Sequence, residues 1–272
     1  MNCIADLLRS SVIDAVDARV LLRATLGVND AYLVAHARDE VMAQHAAQFR
    51  AFAARRAAGE PVAYIVGERE FYGRMFAVSP AVLIPRPETE LLVELALQRM
   101  PRNVPCRVLD LGTGSGCIAI SIALECATAR VTATDRCPSA LDVARGNAQR
   151  LGAHHVDFQC GDWLAAAGDA KFDFIVSNPP YVAMGDAHLA RGDLRFEPAH
   201  ALAAGLDGLD DIRSIVAGAC AHLVAGGWIL FEHGYDQAPR CRELLSQAGF
   251  GEVQSWRDLA GIERVSGGFA GV

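Results

Sequence analysis

The segment Ser177-Asn178-Pro179-Pro180-Tyr181 sets a side-chain amide, two prolines and a phenol directly after the apolar run Phe174, Ile175, Val176. An asparagine side chain carries one accepting oxygen and a donating NH2 group. Pro179 and Pro180 lack an N–H and have φ nearly fixed, so they cannot extend a strand ladder but can hold backbone carbonyls in one orientation. One reading is a rigid row of acceptors that grips a planar amino group. The other is a strand stop followed by a turn.

A second constellation lies upstream. The stretch VLDLGTGSGCIAI (Val108–Ile120) reads as strand, glycine-rich turn and helix start. Gly112, Gly114 and Gly116 remove side chains where a ligand must approach the backbone, Thr113 and Ser115 lie between them, and the helix that follows offers unpaired N–H groups. The spacing is G-x-G-x-G, which departs from the dinucleotide fingerprint G-x-G-x-x-G. Asp110 precedes the turn, and Asp135 closes the next strand about twenty residues on, where a carboxylate can accept both hydroxyls of a ribose. The alternative for Asp135 is a cap for the helix that Pro138 begins. After a third strand, Asp162 is placed to bond an adenine amino group and Trp163 to stack beside the ring, unless Trp163 is simply core.

Such sites need a scaffold. From Pro87 onward helical and strand segments alternate, which implies βαβ units, right-handed crossovers and a mostly parallel sheet that binds ligands at the carboxyl ends of its strands. Residues 1 to about 60 instead show helical periodicity, with Ala18, Leu21, Leu22 and Leu26 on one face and Met42, Ala46, Phe49 and Ala53 on another. Aromatic and β-branched residues around Gly73 predict a hairpin. The expected organisation is a helical domain over 1–66, a β-hairpin linker over 67–84 and an α/β domain over 85–272.

At 272 residues, 52% of them hydrophobic, the chain can bury real cores. A net charge of -7, with Lys171 the only lysine, argues against broad binding to nucleic-acid phosphates. Eight scattered cysteines (Cys3, Cys106, Cys117, Cys126, Cys137, Cys160, Cys220, Cys241) show no metal-site spacing and read as reduced, mostly core thiols. No metal is expected. The amino terminus lacks the pattern of a secretory signal, and no apolar run approaches the roughly 20 residues of a membrane helix, so a cytoplasmic location and no membrane partner are expected.

With the glycine turn, Asp135, the Asp162–Trp163 pair and SNPPY in this order, the chain resembles the class I S-adenosylmethionine-dependent methyltransferases. LIPRPETE (Leu83–Glu90), LDLGTGSG (Leu109–Gly116), SNPPY (Ser177–Tyr181), RFEP (Arg195–Pro198) and EHG (Glu232–Gly234), behind a helical module, narrow the resemblance to the HemK/PrmC family. That family methylates the side-chain amide nitrogen of the glutamine in the GGQ loop of class I peptide chain release factors and so modulates translation termination. The resemblance implies a Rossmann-like methyltransferase domain with a mostly parallel seven-stranded sheet and helices on both faces, behind a small all-α domain and a β-hairpin linker. It also implies S-adenosylmethionine as methyl donor, S-adenosylhomocysteine as product and a release factor as partner, with no direct nucleic-acid substrate. By carry-over, Gly112 through Gly116, Asp135 and Trp163 hold the cofactor, and Asn178 through Tyr181 hold the glutamine.

On this reading the Asn178 oxygen and the Pro179 carbonyl each accept one N–H of the substrate amide, and Tyr181 packs against its plane, so no dedicated strong base is needed. Arg86 and Glu88 are candidate substrate contacts, although Pro87 with Glu88 and Glu90 also makes good helix-start chemistry. Arg195 and Glu197 are either substrate contacts or a loop ion pair. Glu232 and His233 end a strand on the active edge, and a satisfied buried pair is their other reading. The helical module and the hairpin around Phe71–Phe76 are the expected docking surface for the protein substrate. An amino-methyltransferase acting on nucleic acid, a non-catalytic module on the same fold and a nicotinamide oxidoreductase are the competing functions. Against them stand the acidic balance, the intact Asn178 and cofactor turn, and the glycine spacing, respectively.

Overall fold

A computed structural model of the chain describes residues 3–101 and 103–271. Met1 and Asn2, at the head of the expected helical domain, and Val272, at the end of the expected α/β domain, lie outside the described residues. The chain divides into two compact units, the residues up to Glu68 with Gly192–Phe196, and Arg69–Arg191 with the residues from Glu197 onward.

The first unit is helical: α1 (Ile4–Arg9), α2 (Ala15–Leu26), α3 (Asp30–Ala35), α4 (Ala43–Ala57) and α5 (Val62–Val66). Helix α2 begins on the Asp14 side chain, which accepts from Val16 N–H, and ends at Gly27 with φ of 65°. Ala18, Leu21 and Leu22 of α2 pack with Ala46 and Phe49 of α4, and with Ile4, Leu7 and Leu33, into one core. At about 1.5–3 kcal/mol for each large side chain buried, such a core gives short helices the stability they lack alone. The expected face differs at one end: Met42 is 59% exposed, while Val41 is buried. Met42 is the residue before the first turn of α4, so its direction is not set by the helical period. Arg56 holds Asp17 at 2.6 Å and Asp193 at 2.7 Å, and Arg195 donates to the Ala58 carbonyl at 2.9 Å, which fastens Gly192–Phe196 to this unit.

The hairpin β1 (Glu68–Phe71) and β2 (Arg74–Ala77) follows, and from Arg69 it belongs to the second unit. Its turn residues Tyr72 and Gly73 both have positive φ, 51° and 73°, the two-residue geometry that matches strand twist. Phe71 and Phe76 meet edge to face, 6.1 Å between centroids, and both are fully buried in the core of this unit. They are therefore packing residues of this core. After an irregular stretch and a turn at Pro87–Thr89 come α6 (Glu90–Arg99), β3 (Cys106–Leu111), α7 (Cys117–Glu125), β4 (Ala129–Asp135), α8 (Pro138–Leu151), β5 (Asp157–Cys160) and β6 (Phe172–Ser177). Then follow α9 (Asp210–His222), β7 (Leu223–Glu232), α10 (Ala238–Gln247), β8 (Phe250–Arg257) and β9 (Glu263–Ala270).

Seven strands form one sheet in the order β5-β4-β3-β6-β7-β9-β8. Only the pairings of β9, with β7 and with β8, are antiparallel. Strand β3 is buried at five of its six residues, as a parallel strand covered on both faces must be, and α7 is apolar nearly all round because it packs against the sheet beneath its neighbours. The chain leaves β3 toward β4 on one side and returns to β6 on the other, so the order reverses between β3 and β6. That crevice is where open α/β sheets bind ligands. Among the described residues, no helix is long and apolar enough to cross a membrane.

The thiols depart from expectation. All eight cysteines are free, but only Cys106, Cys117 and Cys241 are buried, while Cys160 and Cys220 are exposed. Alternation along an edge strand and a helix surface, not the apolar character of the thiol, sets those two positions.

Candidate active site

Parallel register brings the strand ends level. Leu111 pairs with Thr134 and with Ser177, and Ser177 with Phe231, so the turn after β3, Asp135, Asn178 and Glu232 all emerge at one edge. A cavity of about 850 Å³, its open mouth included, lies there. Its wall includes Val82, Leu83, Pro85, Arg86 and Thr89 on one side, Gly112–Ser115 and Asp135 on another, and Asp162, Trp163, Asn178 and Pro180 on the rest.

The turn is shaped by its glycines. Gly112, Gly114 and Gly116 all have positive φ, which side chains disfavour. A Cβ on Gly112 would come within 3.2 Å of the Trp163 ring, and one on Gly116 within 2.8 Å of Ile120 and 3.2 Å of Ala144. Trp163 itself is held at φ 41°. Such a backbone costs of order 1–3 kcal/mol in a residue with a side chain, and here it lays the indole across Gly112. Asn147 of α8, fully buried, donates to the Ser115 carbonyl at 2.8 Å and accepts from Ala77 N–H at 2.8 Å, tying the turn to the hairpin.

The two aspartates diverge. Asp135 accepts from Gly114 N–H at 2.9 Å and from Cys137 N–H at 2.8 Å, so it serves the turn and the start of α8 while still lining the cavity. Each carboxylate oxygen retains a lone pair for a ligand hydroxyl. Asp110 lies below the turn, completely buried, where it accepts from the Thr113 hydroxyl at 2.6 Å and from Ala119 N–H in the first turn of α7 at 3.2 Å. Its Oδ1 has no partner, and burial pushes its pKa up to about 7 against those two hydrogen bonds.

At the other end of the cavity, Asn178 donates from Nδ2 to the Thr89 hydroxyl at 3.0 Å, while its buried Oδ1 has no partner. An acceptor left so costs about 1–3 kcal/mol. Glu232 accepts from the Thr89 hydroxyl at 2.6 Å and from the Tyr181 hydroxyl at 3.0 Å. Burial raises the Glu232 pKa, with the hydrogen bonds from Thr89 and Tyr181 opposing it, and burial likewise raises that of Tyr181. Gln237 holds the Tyr181 carbonyl at 3.0 Å, which fixes the exit of the SNPPY segment.

The remaining predicted residues separate. Arg86 reaches Glu197 at 2.5 Å, and Glu197 also accepts from Ile84 N–H at 3.0 Å, so this buried carboxylate straps one cavity wall to the segment that carries His200 and Ala201. Arg195 and Glu197 are thus not a loop ion pair: two apart in sequence, they point to different partners. Glu88 is exposed on the turn before α6 and is not part of the cavity wall, while Glu90 accepts from Tyr72 N–H at 2.9 Å. Glu232 and His233 do not pair with each other, since His233 bonds the Gly234 carbonyl and Ser266. Among the described residues, no group of three or more His, Cys, Asp or Glu side chains could hold a metal ion.

Comparison with known proteins agrees in its outline. Residues 2–67 match the model of the PrmC N-terminal domain, and residues 88–202 that of the methyltransferase small domain. The release factor glutamine methyltransferase of Bordetella pertussis is 54% identical over 270 residues, covering 99% of this chain and 100% of that protein. The chain belongs to the release factor glutamine methyltransferase family. The Escherichia coli member is 42% identical over 92% of this chain and 90% of its own length. Among solved structures, a methyltransferase from Pyrococcus furiosus shares the fold at a TM-score of 0.56, with 20% identity over 80% of this chain and 98% of that one.

In this family member Thr89, Asn147 and Gln237 are the positions that reading the sequence missed as individual residues, and Glu197 was named there without its true partners. Each has at least one partner 32 or more residues away. Spacing along the chain carries no mark of that. A polar residue on an otherwise apolar helix face, as Asn147 is between Ala144 and Ala148, was the one available signal.

Proposed function

We propose that this chain transfers the methyl group of S-adenosylmethionine to the side-chain amide nitrogen of the glutamine in the GGQ loop of class I peptide chain release factors, in the cytoplasm, and so modulates translation termination. Full-length identity to named members of the family supports the reaction class. The single structural observation that carries the residue assignment is the buried, unpartnered Oδ1 of Asn178 in the cavity wall.

The residues present fit the cofactor. Gly112 has no Cβ where the Trp163 ring crosses it, Asp135 has accepting capacity left for ribose hydroxyls, and Asp162 stands beside Trp163 for the base. S-adenosylmethionine supplies, when bound, a methyl group activated by its sulfonium. The chain's own residues then do the positioning. An amide nitrogen is a poor nucleophile because its lone pair is shared with the carbonyl. The Asn178 Oδ1 and the Pro179 carbonyl each accept one of its N–H bonds, aiming the nitrogen along the line of transfer, and Tyr181 packs on the amide plane. Such orientation lowers a barrier by up to about 7–11 kcal/mol in favourable cases. The proton leaves once methylation has made the nitrogen acidic. Arg86 belongs to this account as a wall residue braced by Glu197.

Trp163→Ala is expected to weaken S-adenosylmethionine binding by about 10- to 100-fold, from lost stacking worth about 1–3 kcal/mol, as measured by calorimetry. Unchanged affinity would remove Trp163 from the cofactor site.

The function is tested by incubating the enzyme with methyl-labelled S-adenosylmethionine and a class I release factor, beside a factor whose GGQ glutamine is replaced and beside bulk RNA and DNA. Label on the intact factor alone is the expected result. Label on nucleic acid, or on the substituted factor, would overturn the assignment.

A further inference from the structure

The reading above needs the oxygen of Asn178, and not its NH2 group, to face the substrate nitrogen. The two ends of a primary amide have almost the same shape, so packing alone discriminates poorly between an orientation that accepts the substrate's N–H bonds and one that opposes donors to donors. Something must set the choice.

The structure supplies a chain of hydrogen bonds with one direction. Glu232 terminates β7 beside Asn178 at the end of β6, because Ser177 and Phe231 are paired in register. Its two oxygens take the Thr89 hydroxyl at 2.6 Å and the Tyr181 hydroxyl at 3.0 Å. Both hydroxyls donate to it, one to each oxygen, so both hydroxyl hydrogens are committed. With its hydrogen spent, the Thr89 oxygen can only accept from Asn178, and the group at 3.0 Å must be Nδ2. Oδ1 is thereby turned to the other side, where it has no protein partner. Thr89 and Glu232 are 2% and 1% exposed, so water cannot readily substitute for either.

Resting on the proposed function, we infer that Thr89 and Glu232 are positioning residues whose hydrogen-bond chain fixes the Asn178 amide with its oxygen toward the substrate glutamine. Neither touches the reacting atoms in this scheme. The chain ties three separate segments together, since Thr89 precedes α6, Asn178 follows β6 and Glu232 ends β7. It also gives the buried acid a role that needs no proton transfer.

The test compares Thr89→Val, which keeps shape but loses the hydroxyl, with Thr89→Ser, which keeps the hydroxyl, and with Glu232→Gln, whose NH2 can donate to Thr89 and so release the direction of the chain. Initial rates on a class I release factor would be measured with S-adenosylmethionine affinity by calorimetry and melting temperature for each protein. For Thr89→Val and Glu232→Gln, kcat is expected to fall by about 10- to 100-fold, with KM for the factor and cofactor affinity within about threefold of wild type. Thr89→Ser should recover most of the loss. A Thr89→Val enzyme with wild-type kcat, or valine and serine variants equally impaired, would overturn the inference while leaving wild-type activity intact. A wild-type enzyme that fails to label the factor, despite binding cofactor, would instead sink the functional reading together with the inference.

Discussion

Asn178→Ala is expected to lower single-turnover methylation of a release factor by about 10²- to 10³-fold, the loss typical of removing one preorganised hydrogen-bonding group from a transition state. Cofactor affinity should stay within a few fold, because the glycine turn, Asp135 and Trp163 make the other end of the cavity and none of them bonds Asn178. The expected split follows from where the energy is spent. The buried Oδ1 has no partner in the free enzyme, so its desolvation is already met, and an N–H arriving there gains the full interaction. Alanine removes that gain together with the Thr89 bond. Asn178→Asp is the sharper variant. It keeps the shape and an acceptor but offers no N–H to Thr89, whose hydroxyl is already committed to Glu232. A carboxylate there sets unpaired oxygens beside the Thr89 oxygen, so the aspartate variant should be nearly as slow as alanine. Rapid-quench measurement at saturating cofactor checks both, and near-normal turnover in either would remove Asn178 from the transfer step.

The parts of this site that were legible in the sequence are those where local backbone chemistry and function coincide. The glycines at 112, 114 and 116 must adopt positive φ, and Pro179 and Pro180 must stop a strand, so both motifs announce themselves in residue type. The alternation of helix and strand from Pro87 likewise yields the parallel sheet, and with it the edge on which the motifs meet. What was hidden is partnership across the fold. Asn178 with Thr89, Glu197 with Ile84 and Arg86, and Asn147 with Ser115 are linked by register and crossover, which no spacing encodes. Arg195 and Glu197 show the converse hazard. Opposite charges two apart in sequence suggested a pair, but Arg195 turns to the Ala58 carbonyl and Glu197 to Arg86. Phe71 and Phe76 flank the hairpin turn, and alternation along the two strands points both into the core.

Asp110 carries the other large prediction, and it concerns stability. Its carboxyl is fully buried under the glycine turn and is held near a pKa of about 7, against 3.8 for an ordinary aspartate, chiefly by desolvation. Below about pH 4 the group is protonated whether the chain is folded or unfolded. As pH rises from there, the unfolded chain releases its proton first, while the folded chain keeps it until about pH 7. The folded state thus binds the extra proton across this window, and stability falls with rising pH. The gap between 3.8 and about 7 amounts to on the order of 4 kcal/mol once the window is crossed. Asp110→Asn cannot ionise. Its oxygen can still accept from Thr113 and Ala119, and its NH2 takes the place of the unpartnered Oδ1. Compared with wild type in urea melts without cofactor, the asparagine variant should be close in stability, or slightly weaker, at pH 5 and should gain by about 2–4 kcal/mol at pH 8. The difference between the two proteins isolates Asp110 from Glu232, whose raised pKa biases stability in the same direction. An identical difference at both pH values would mean that Asp110 is ionised throughout, and that the amino end of α7 compensates a buried charge more fully than its two hydrogen bonds imply.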